Sequence, residues 1–222
     1  MLPLPVVFRA ATPSQPPPHP ATWKIPREWD GETCYLIGGG PSLKDLDPDR
    51  LRGRRVIVIN RGFRAFPFAD VLYFCDANWW RVDGPEVKAK FTGKYIITAS
   101  RADDPLLKHV KRTGTSGLEL QAHGIKHGTN SGYQAINVAF HFGVKRIILL
   151  GYDMKTKDGA THFHGGYGTS EPTVAHVLAA RMLPFFSALV EPLRAHGVEV
   201  LNANPDSALD CWPKVSIDEA LA

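Results

Sequence analysis

The sequence predicts an α/β domain with one mainly parallel sheet and helices on both faces. Two observations lead to this fold class: short apolar runs alternate with segments of helical periodicity, and several of these runs end in glycine or polar turns. A chain of 222 residues is long enough to bury the core of one such domain. The predicted strands span residues 33–37, 55–59, 71–75, 94–99, 145–150 and 198–201.

The clearest predicted helix spans residues 131–142. Its apolar residues recur at helical spacing on two sides, which indicates burial on two sides. Asn130 or Ser131 suits the N-cap, because a short side-chain oxygen can accept a backbone N–H of the first turn. Gly143 suits the left-handed position that ends a helix.

The strand that follows, residues 145–150, is a β-branched and leucine run typical of a strand buried on both faces. Gly151 and Asp153 come directly after it. Ligands of open α/β sheets bind at the carboxyl ends of the strands. We therefore expect Asp153 and the helix start at residues 130–132 to share a pocket.

The first predicted strand runs into a glycine-rich turn, Gly38-Gly39-Gly40-Pro41-Ser42. Three glycines let a backbone approach a ligand closely, which is typical of a phosphate cradle, although a plain tight turn has the same composition. Ser42 suits the cap of the short helix that Pro41 starts. With polar residues at other strand ends, the predicted nucleotide site comprises Gly38, Gly39, Gly40, Ser42, Asn60, Asp76, Asn78, Asn130, Ser131, Gly132 and Gly151.

The loop from Lys155 to Thr169 contains two histidines and four glycines. Two histidines two residues apart near a carboxylate indicate catalysis or metal binding; the alternative is that they pin the loop through hydrogen bonds. A histidine suits a general base because its pKa lies near operating pH. We assign His162, His164 and Asp153 as candidate catalytic residues and expect the loop to close over a bound nucleotide.

Three further segments carry weaker signals. Residues 103–112 are predicted to be helical, with a basic end that is either a solvated face or a patch for a phosphorylated partner. Residues 50–55 supply a second basic cluster. A long helix opens at residue 170, and Pro184 and Pro192 must kink or divide it.

Residues 1–29 are proline-rich and are predicted to form an N-terminal arm, followed by one nucleotide-binding domain at residues 30–222. The N-terminus lacks the cationic start and long apolar centre of a signal peptide, and no apolar run approaches the roughly 18 residues of a membrane span. The three cysteines lie far apart, as expected of reduced thiols in the cytoplasm. A net charge of +4 suits an anionic ligand without specifying one.

Five separated pieces of the chain resemble one superfamily. It contains the bacterial sialyltransferases of glycosyltransferase family 42, the Maf-type flagellin glycosyltransferases and the archaeal MptE-like 6-hydroxymethylpterin diphosphokinases. The segment Gly159-Ala160-Thr161-His162 is most similar to the Maf and MptE branch. The five pieces, which span about residues 33–207, are the glycine turn, Asn60, residues 70–76, Asn130 to Gly132 with its helix and Gly151-Tyr152-Asp153, and residues 202–205.

The resemblance implies a Rossmann-like fold that binds a nucleotide at the carboxyl edge of the sheet. In the sialyltransferase branch, the positions of the glycine turn, Asn60 and residues 130–132 hold the cytidine monophosphate part of the donor. The same positions in this chain are therefore expected to hold a nucleotide.

The chain departs from the sialyltransferase branch at several positions. Gly39 stands where that branch has an asparagine, and Lys155 and Thr161 stand near the places of its two phosphate-binding tyrosines. The catalytic histidine of the sialyltransferase branch corresponds to about Gly166 in this chain, and the two loop histidines come just before that position. The resemblance thus points to a nucleotide site more strongly than to sialyl transfer.

Three functions remain open from the sequence. The first is a glycosyltransferase with a nucleotide-sugar donor, in which His162 or His164 takes the proton of the acceptor hydroxyl. The second is an MptE-type diphosphokinase, in which Asp76 and Asp153 hold magnesium on a nucleoside triphosphate. The third is a non-catalytic module that binds nucleotide or nucleic acid through the basic segments.

Overall fold

The computed structural model describes residues 22–165 and 167–222 and has the predicted α/β, Rossmann-like architecture. The strands within these residues are β1 (Thr33–Ile37), β2 (Arg55–Ile59), β3 (Val71–Phe74), β4 (Tyr95–Thr98), β5 (Leu107–His109), β6 (Lys111–Gly114), β7 (Gly124–Lys126), β8 (Arg146–Leu150) and β9 (Glu199–Asn202). Seven of them form one parallel sheet in the order β5-β4-β3-β2-β1-β8-β9, and β6 pairs with β7. The predicted strands are confirmed to within one residue at each end.

The sheet reverses its winding direction next to β1. The chain first builds outward from β1 through β5, then crosses to the other side to add β8 and β9. In open α/β sheets, ligands bind at such a reversal. Two backbone hydrogen bonds tie the glycine turn to the end of β8: Gly38 N–H donates to Leu150 O (2.7 Å) and Gly40 N–H donates to Gly151 O (2.8 Å). The glycine turn therefore lies at the reversal point.

Helices cover both faces of the sheet. The helix α2 (Ser131–Phe142) packs on the face that carries Leu36 of β1, whereas α1 (Ala77–Lys90) packs on the face that carries Ile37. Because side chains of a strand alternate between faces, β1 is buried on both. The remaining helices are α3 (Glu171–Val177), α4 (Val190–Ala195) and α5 (Ile217–Leu221).

The predicted ends of α2 are confirmed. The Asn130 side chain accepts the N–H of Tyr133 at 2.8 Å, which makes Asn130 the N-cap. Gly143 ends the helix with φ of +92°, a left-handed conformation that glycine adopts without steric cost. The start of α2 is thus fixed by its own sequence at the carboxyl edge of the sheet.

The predicted helix at residues 103–112 is wrong. Residues of this segment form β5, which pairs with β4, and the beginning of β6. Leu107 and Val110 are three residues apart, as on one helix face, but they enter the cores on opposite faces of the sheet. Pairing at the sheet edge is a long-range interaction that outweighs the local helical spacing.

The helical segment Glu171–Ala195 is divided, as its prolines predict. After α3 come a π turn at Leu178–Met182 and 3-10 turns at Leu183–Leu189, and α4 completes the segment. By length and composition alone the segment could cross a membrane, although one such helix is weak evidence; 11% of its most apolar window is buried. No uninterrupted apolar run reveals it in the sequence, because Arg181 and the prolines break the pattern.

Residues 22–29, the end of the predicted arm, lie against the domain. Trp23 N–H donates to His109 O at 2.7 Å. Ile25 and Trp29 are 2% and 3% exposed and belong to the core. The rest of the predicted arm, residues 1–21, lies outside the described part of the chain.

Candidate functional site

A cavity of about 560 Å³, called here the first cavity, opens at the carboxyl ends of β1, β2 and β8. This volume suits a small-molecule ligand. Most of the predicted site residues meet here, and those that line the first cavity are Gly38, Gly39, Gly40, Asn60, Asp76, Asn130, Ser131, Gly132, Gly151, His162 and His164. Ser42, Asn78 and Asp153 are not among its lining residues.

Asp153 holds the glycine turn in place. Its carboxylate is 3% exposed and accepts two hydrogen bonds from Ser42, one from the backbone N–H (2.8 Å) and one from the hydroxyl (2.5 Å). Ser42 does not cap the short helix as predicted: Gly40 occupies that N-cap position, and the Ser42 hydroxyl is committed to Asp153. The pair therefore positions the turn from behind the first cavity.

The two carboxylates of the predicted magnesium pair accept hydrogen bonds from different parts of the chain. Asp76 lines the first cavity, and its carboxylate also accepts the Asn78 N–H at 2.8 Å as the N-cap of α1. Asp153 points to Ser42 instead of the cavity. In residues 22–165 and 167–222, no group of three or more His, Cys, Asp or Glu side chains could hold a metal ion.

The start of α2 lies at one end of the first cavity. Ser131 and Gly132 belong to the first turn, whose N–H groups have no partners inside a helix and carry the positive end of its dipole. The Ser131 hydroxyl lies 3.4 Å from Asn60 Oδ1 and 3.1 Å from Cys75 Sγ. These contacts join the ends of β2 and β3 to the start of α2. A phosphate fits this position.

Strained backbone is concentrated around the first cavity. In the described part of the chain, four non-glycine residues have positive φ, and three of them line this cavity: Asn60 (+48°), Thr129 (+65°) and Met154 (+51°). Such conformations cost roughly 1–3 kcal/mol each and are found mainly at functional sites. The backbone is therefore shaped for the cavity at an energetic cost.

The loop that carries His162 and His164, called here the histidine loop, lies directly on the glycine turn. Phe163 N–H donates to Gly39 O at 3.1 Å, and the flanking rings of His162 and His164 stack with centroids 5.0 Å apart. A Cβ atom added to Gly39 would lie 3.8 Å from Nε2 of each histidine and 2.9 Å from Cδ2 of His162. Both Nε2 atoms thus lie close to the glycine turn, at the wall of the first cavity.

Burial keeps both histidines uncharged near neutral pH. Burial is the largest cause that lowers the pKa of His162, with the nearby Arg61 cation as the second. Burial also lowers the pKa of His164 to about 4, helped by His162. Tyr167 contacts both rings edge-on, and the Arg61 guanidinium lies 4.5 Å from the Tyr167 ring centre. A neutral imidazole can accept a proton.

The far wall of the first cavity was missed by sequence reasoning. The helical segment after residue 170 faces the cavity, and Thr129 at the opposite rim donates its hydroxyl to Arg181 O at 2.5 Å. The apolar spacing of that segment was visible, but it carries no sign of what it faces. The unpredicted lining residues are Ile59, Cys75, Trp79, Thr129, Tyr152, Met154, Lys155, Thr161, Tyr167, Thr169, Thr173, Val174, Val177, Leu178, Met182 and Phe186.

Three arginines of the basic cluster at residues 50–55 form ion pairs, and the fourth donates hydrogen bonds to uncharged groups. Arg50 pairs with Asp218, Arg52 with Asp49 and Arg55 with Glu32. Arg54 donates to Tyr35 Oη and Leu221 O. The other basic segment is not the helix that the nucleic-acid alternative requires.

The chain resembles known proteins in structure but not in sequence. No protein-family model matches the chain, and no curated protein matches it in sequence. The Campylobacter jejuni sialyltransferase CstII in complex with cytidine-5'-monophosphate has a TM-score of 0.49 at 14% identity, over 84% of this chain and 86% of that chain. The same enzyme with CMP-3FNeuAc gives 0.49 at 13% identity, over 83% and 86%. The apo α-2,3-sialyltransferase of Campylobacter jejuni gives 0.42 at 16% identity, over 88% and 85%.

Proposed function

We propose that this protein is a nucleotide-binding transferase that uses a nucleotide-sugar donor. The observation that carries the proposal is the meeting of two uncharged histidines with the glycine turn and the start of α2 in one cavity. The helix start suits a phosphate, and a neutral histidine suits the proton of an attacking hydroxyl. The five sequence pieces that resemble the family 42 superfamily agree with a sugar donor.

In this proposal, the donor phosphates lie against Ser131 and Gly132 at the start of α2. Lys155 also lines this cavity, where Asp206 at 2.9 Å offsets its charge. These groups stabilise the negative charge that the nucleotide gains as it leaves. Tyr167 and the apolar side chains of the far wall keep water away from the reacting atoms.

His162 is the proposed general base. Its Nδ1 lies 3.0 Å from the Thr161 hydroxyl, which orients the ring and leaves Nε2 facing Gly39. Nε2 takes the acceptor hydroxyl proton while the acceptor oxygen bonds to the anomeric carbon. The bond from that carbon to the phosphate oxygen breaks, and the nucleotide leaves with its electron pair.

The first experiment identifies the nucleotide. Melting temperature is measured with CMP, UDP, GDP and ATP, each with and without magnesium. A nucleotide present at 100 times its Kd should stabilise the fold by roughly 2.7 kcal/mol. Stabilisation by none of them would refute the nucleotide site, and stabilisation by ATP only with magnesium would support the diphosphokinase instead.

The second experiment tests the base. With sugar conjugates of the preferred nucleotide, His162→Gln should lower turnover on the order of 100-fold, the usual share of a general base, and leave nucleotide Kd nearly unchanged. His176→Gln is the matched control, because His176 does not line the first cavity. Before the acceptor is known, nucleotide release measures hydrolysis, in which water takes the sugar in place of the acceptor; this reaction should be slow because the far wall limits water access. Equal turnover in the two variants would rule out His162.

A further inference from the structure

A second cavity of about 970 Å³ lies beside the first, at the carboxyl ends of β3, β4 and β5. The two cavities share Cys75 and Asp76 in their linings. A molecule in the second cavity would therefore lie next to a nucleotide in the first. Both cavities occupy the sheet edge at which α/β proteins bind ligands.

The charged side chains that line the second cavity are mostly cationic. Arg101, Lys111 and Arg112 contribute permanent positive charges, His109 adds an imidazole, and Asp76 on the shared rim is the one carboxylate among the described residues of the lining. The His109 Nδ1 lies 3.3 Å from Ser100 O, so this ring is oriented by the backbone. Several positive charges that converge on one concave surface attract anions.

Two of these cations are not neutralised by the protein. Among residues 22–165 and 167–222, neither Lys111 nor Arg112 forms an ion pair, in contrast to the paired arginines at residues 50–55. Arg112 is nevertheless held in position, because its Nη2 donates to Cys75 O at 2.7 Å. The guanidinium is thus fixed at the boundary of the two cavities by a contact that leaves its charge uncompensated.

We propose that the second cavity binds an anionic group, a phosphate or carboxylate, held by Lys111 and Arg112 next to the nucleotide. The group belongs either to the acceptor substrate or to the terminal phosphates of a nucleoside triphosphate. The neighbouring ligand rests on the proposed function, whereas the anion site itself rests on the charges and shape of the second cavity. The site gives the transferase a preference for anionic partners.

The test uses inorganic phosphate as the probe, titrated by calorimetry in phosphate-free buffer at constant ionic strength. Lys111→Glu removes an exposed cation and should raise the Kd for phosphate at least tenfold. Lys145→Glu is the matched control, because Lys145 is also exposed but lies before β8, at the opposite edge of the sheet. Arg112→Gln should weaken phosphate binding as well, and melting temperature confirms that each variant folds.

Titration with the preferred nucleoside monophosphate separates the two proposals. Phosphate binding that depends on Lys111 supports the anion site even if no nucleotide binds, in which case the proposed function alone fails. The anion site is overturned if phosphate does not bind at millimolar concentration. It is also overturned if Lys111→Glu and Lys145→Glu raise the Kd for phosphate equally.

Two arms identify the source of the anion. If phosphate binds with unchanged Kd to protein saturated with the monophosphate, the site belongs to a separate acceptor, and the proposal stands in that form. If the triphosphate binds more tightly than the monophosphate and Lys111→Glu abolishes the difference, the anion is the nucleotide's own. Either result supports the site, and a triphosphate advantage that survives Lys111→Glu counts against it.

Discussion

At the scale of single residues, the site depends on a carboxylate that does not touch the cavity. Asp153 comes after a buried strand, where a sequence reader expects a catalytic or metal-binding group. In the structure it accepts both donors of Ser42 and is 3% exposed. A buried carboxylate requires such hydrogen bonds, because burial without them costs several kcal/mol. Its contribution is to hold the turn that forms the cavity floor.

Ser42→Ala tests this contribution. The variant removes the hydroxyl that donates to Asp153 and leaves the charged carboxylate with one fewer partner, so the free energy of unfolding should fall by about 1–3 kcal/mol. Urea denaturation measures the change. Ser187→Ala is the control, because Ser187 is exposed and its hydroxyl donates to a carbonyl three residues away. Equal stability of the two variants would mean that Asp153 does not need the serine hydroxyl.

The pKa of His164 makes folding stability depend on pH. His164 stays neutral in the folded protein down to about pH 4, whereas in the unfolded chain it takes a proton near pH 6.5. The unfolded state therefore binds more protons between these values. The free energy of unfolding is therefore unaffected by His164 above pH 6.5 and falls as the pH is lowered from 6.5 towards 4.

We expect His164→Gln to lose less unfolding free energy than the parent protein between pH 7 and pH 4.5. Denaturant titrations at several pH values measure this difference. His196→Gln, at an exposed histidine that does not line the first cavity, is the control for the substitution itself. Parallel curves for the parent protein and His164→Gln would show that the ring titrates normally.

At the scale of elements, the three consecutive glycines of the turn have different duties. A Cβ atom on Gly38 would lie 2.4 Å from Gly151 O, and one on Gly40 would lie 2.3 Å from Asp153 Oδ1. Both contacts are with groups that are fixed in the fold. A Cβ on Gly39 would instead meet the His162 ring, which lines the first cavity. A side chain added at Gly40 would displace Asp153, so a substitution there disturbs the fold as well as ligand approach.

Alanine at each position should separate these duties. Gly40→Ala should destabilise the fold by about 1–3 kcal/mol through overpacking. Gly39→Ala should keep the melting temperature nearly intact but weaken nucleotide binding, because its methyl group projects towards the histidines. Melting temperature and nucleotide Kd, measured on both variants, check the contrast. Similar losses of stability in the two variants would contradict it.

At the scale of the whole molecule, the sequence predicted those features that short stretches of the chain determine by themselves. Six of the seven strands of the sheet and both ends of α2 follow from apolar periodicity, the Asn130 cap and the left-handed Gly143. The convergence of the glycine turn, Asn60 and the start of α2 follows from parallel topology, since the carboxyl ends of parallel strands share one edge. The histidine loop reaches the same cavity because it leaves β8 at this edge.

The remaining features depend on contacts between distant segments. The helical spacing at residues 103–112 is overruled by pairing with β4, and Asp153 is recruited by Ser42, which lies 111 residues away in sequence. The far wall of the first cavity comes from an apolar helical segment whose partner surface cannot be read from its own residues. The sequence offered the basic end of residues 103–112 as a patch for a phosphorylated partner, but it did not place Lys111 and Arg112 on a strand beside a cavity.

The position of Cys75 has a practical consequence. Its sulfur lies on the partition between the two cavities, while Cys34 is sealed in the core and Cys211 is half-buried elsewhere. Burial raises the pKa of the Cys75 thiol, which lowers its thiolate fraction and slows its alkylation. In a Cys211→Ser background, the protein thus carries a built-in reporter of occupancy: a library of unlabelled metabolites can be screened for compounds that shield this one sulfur, before any substrate or product is identified.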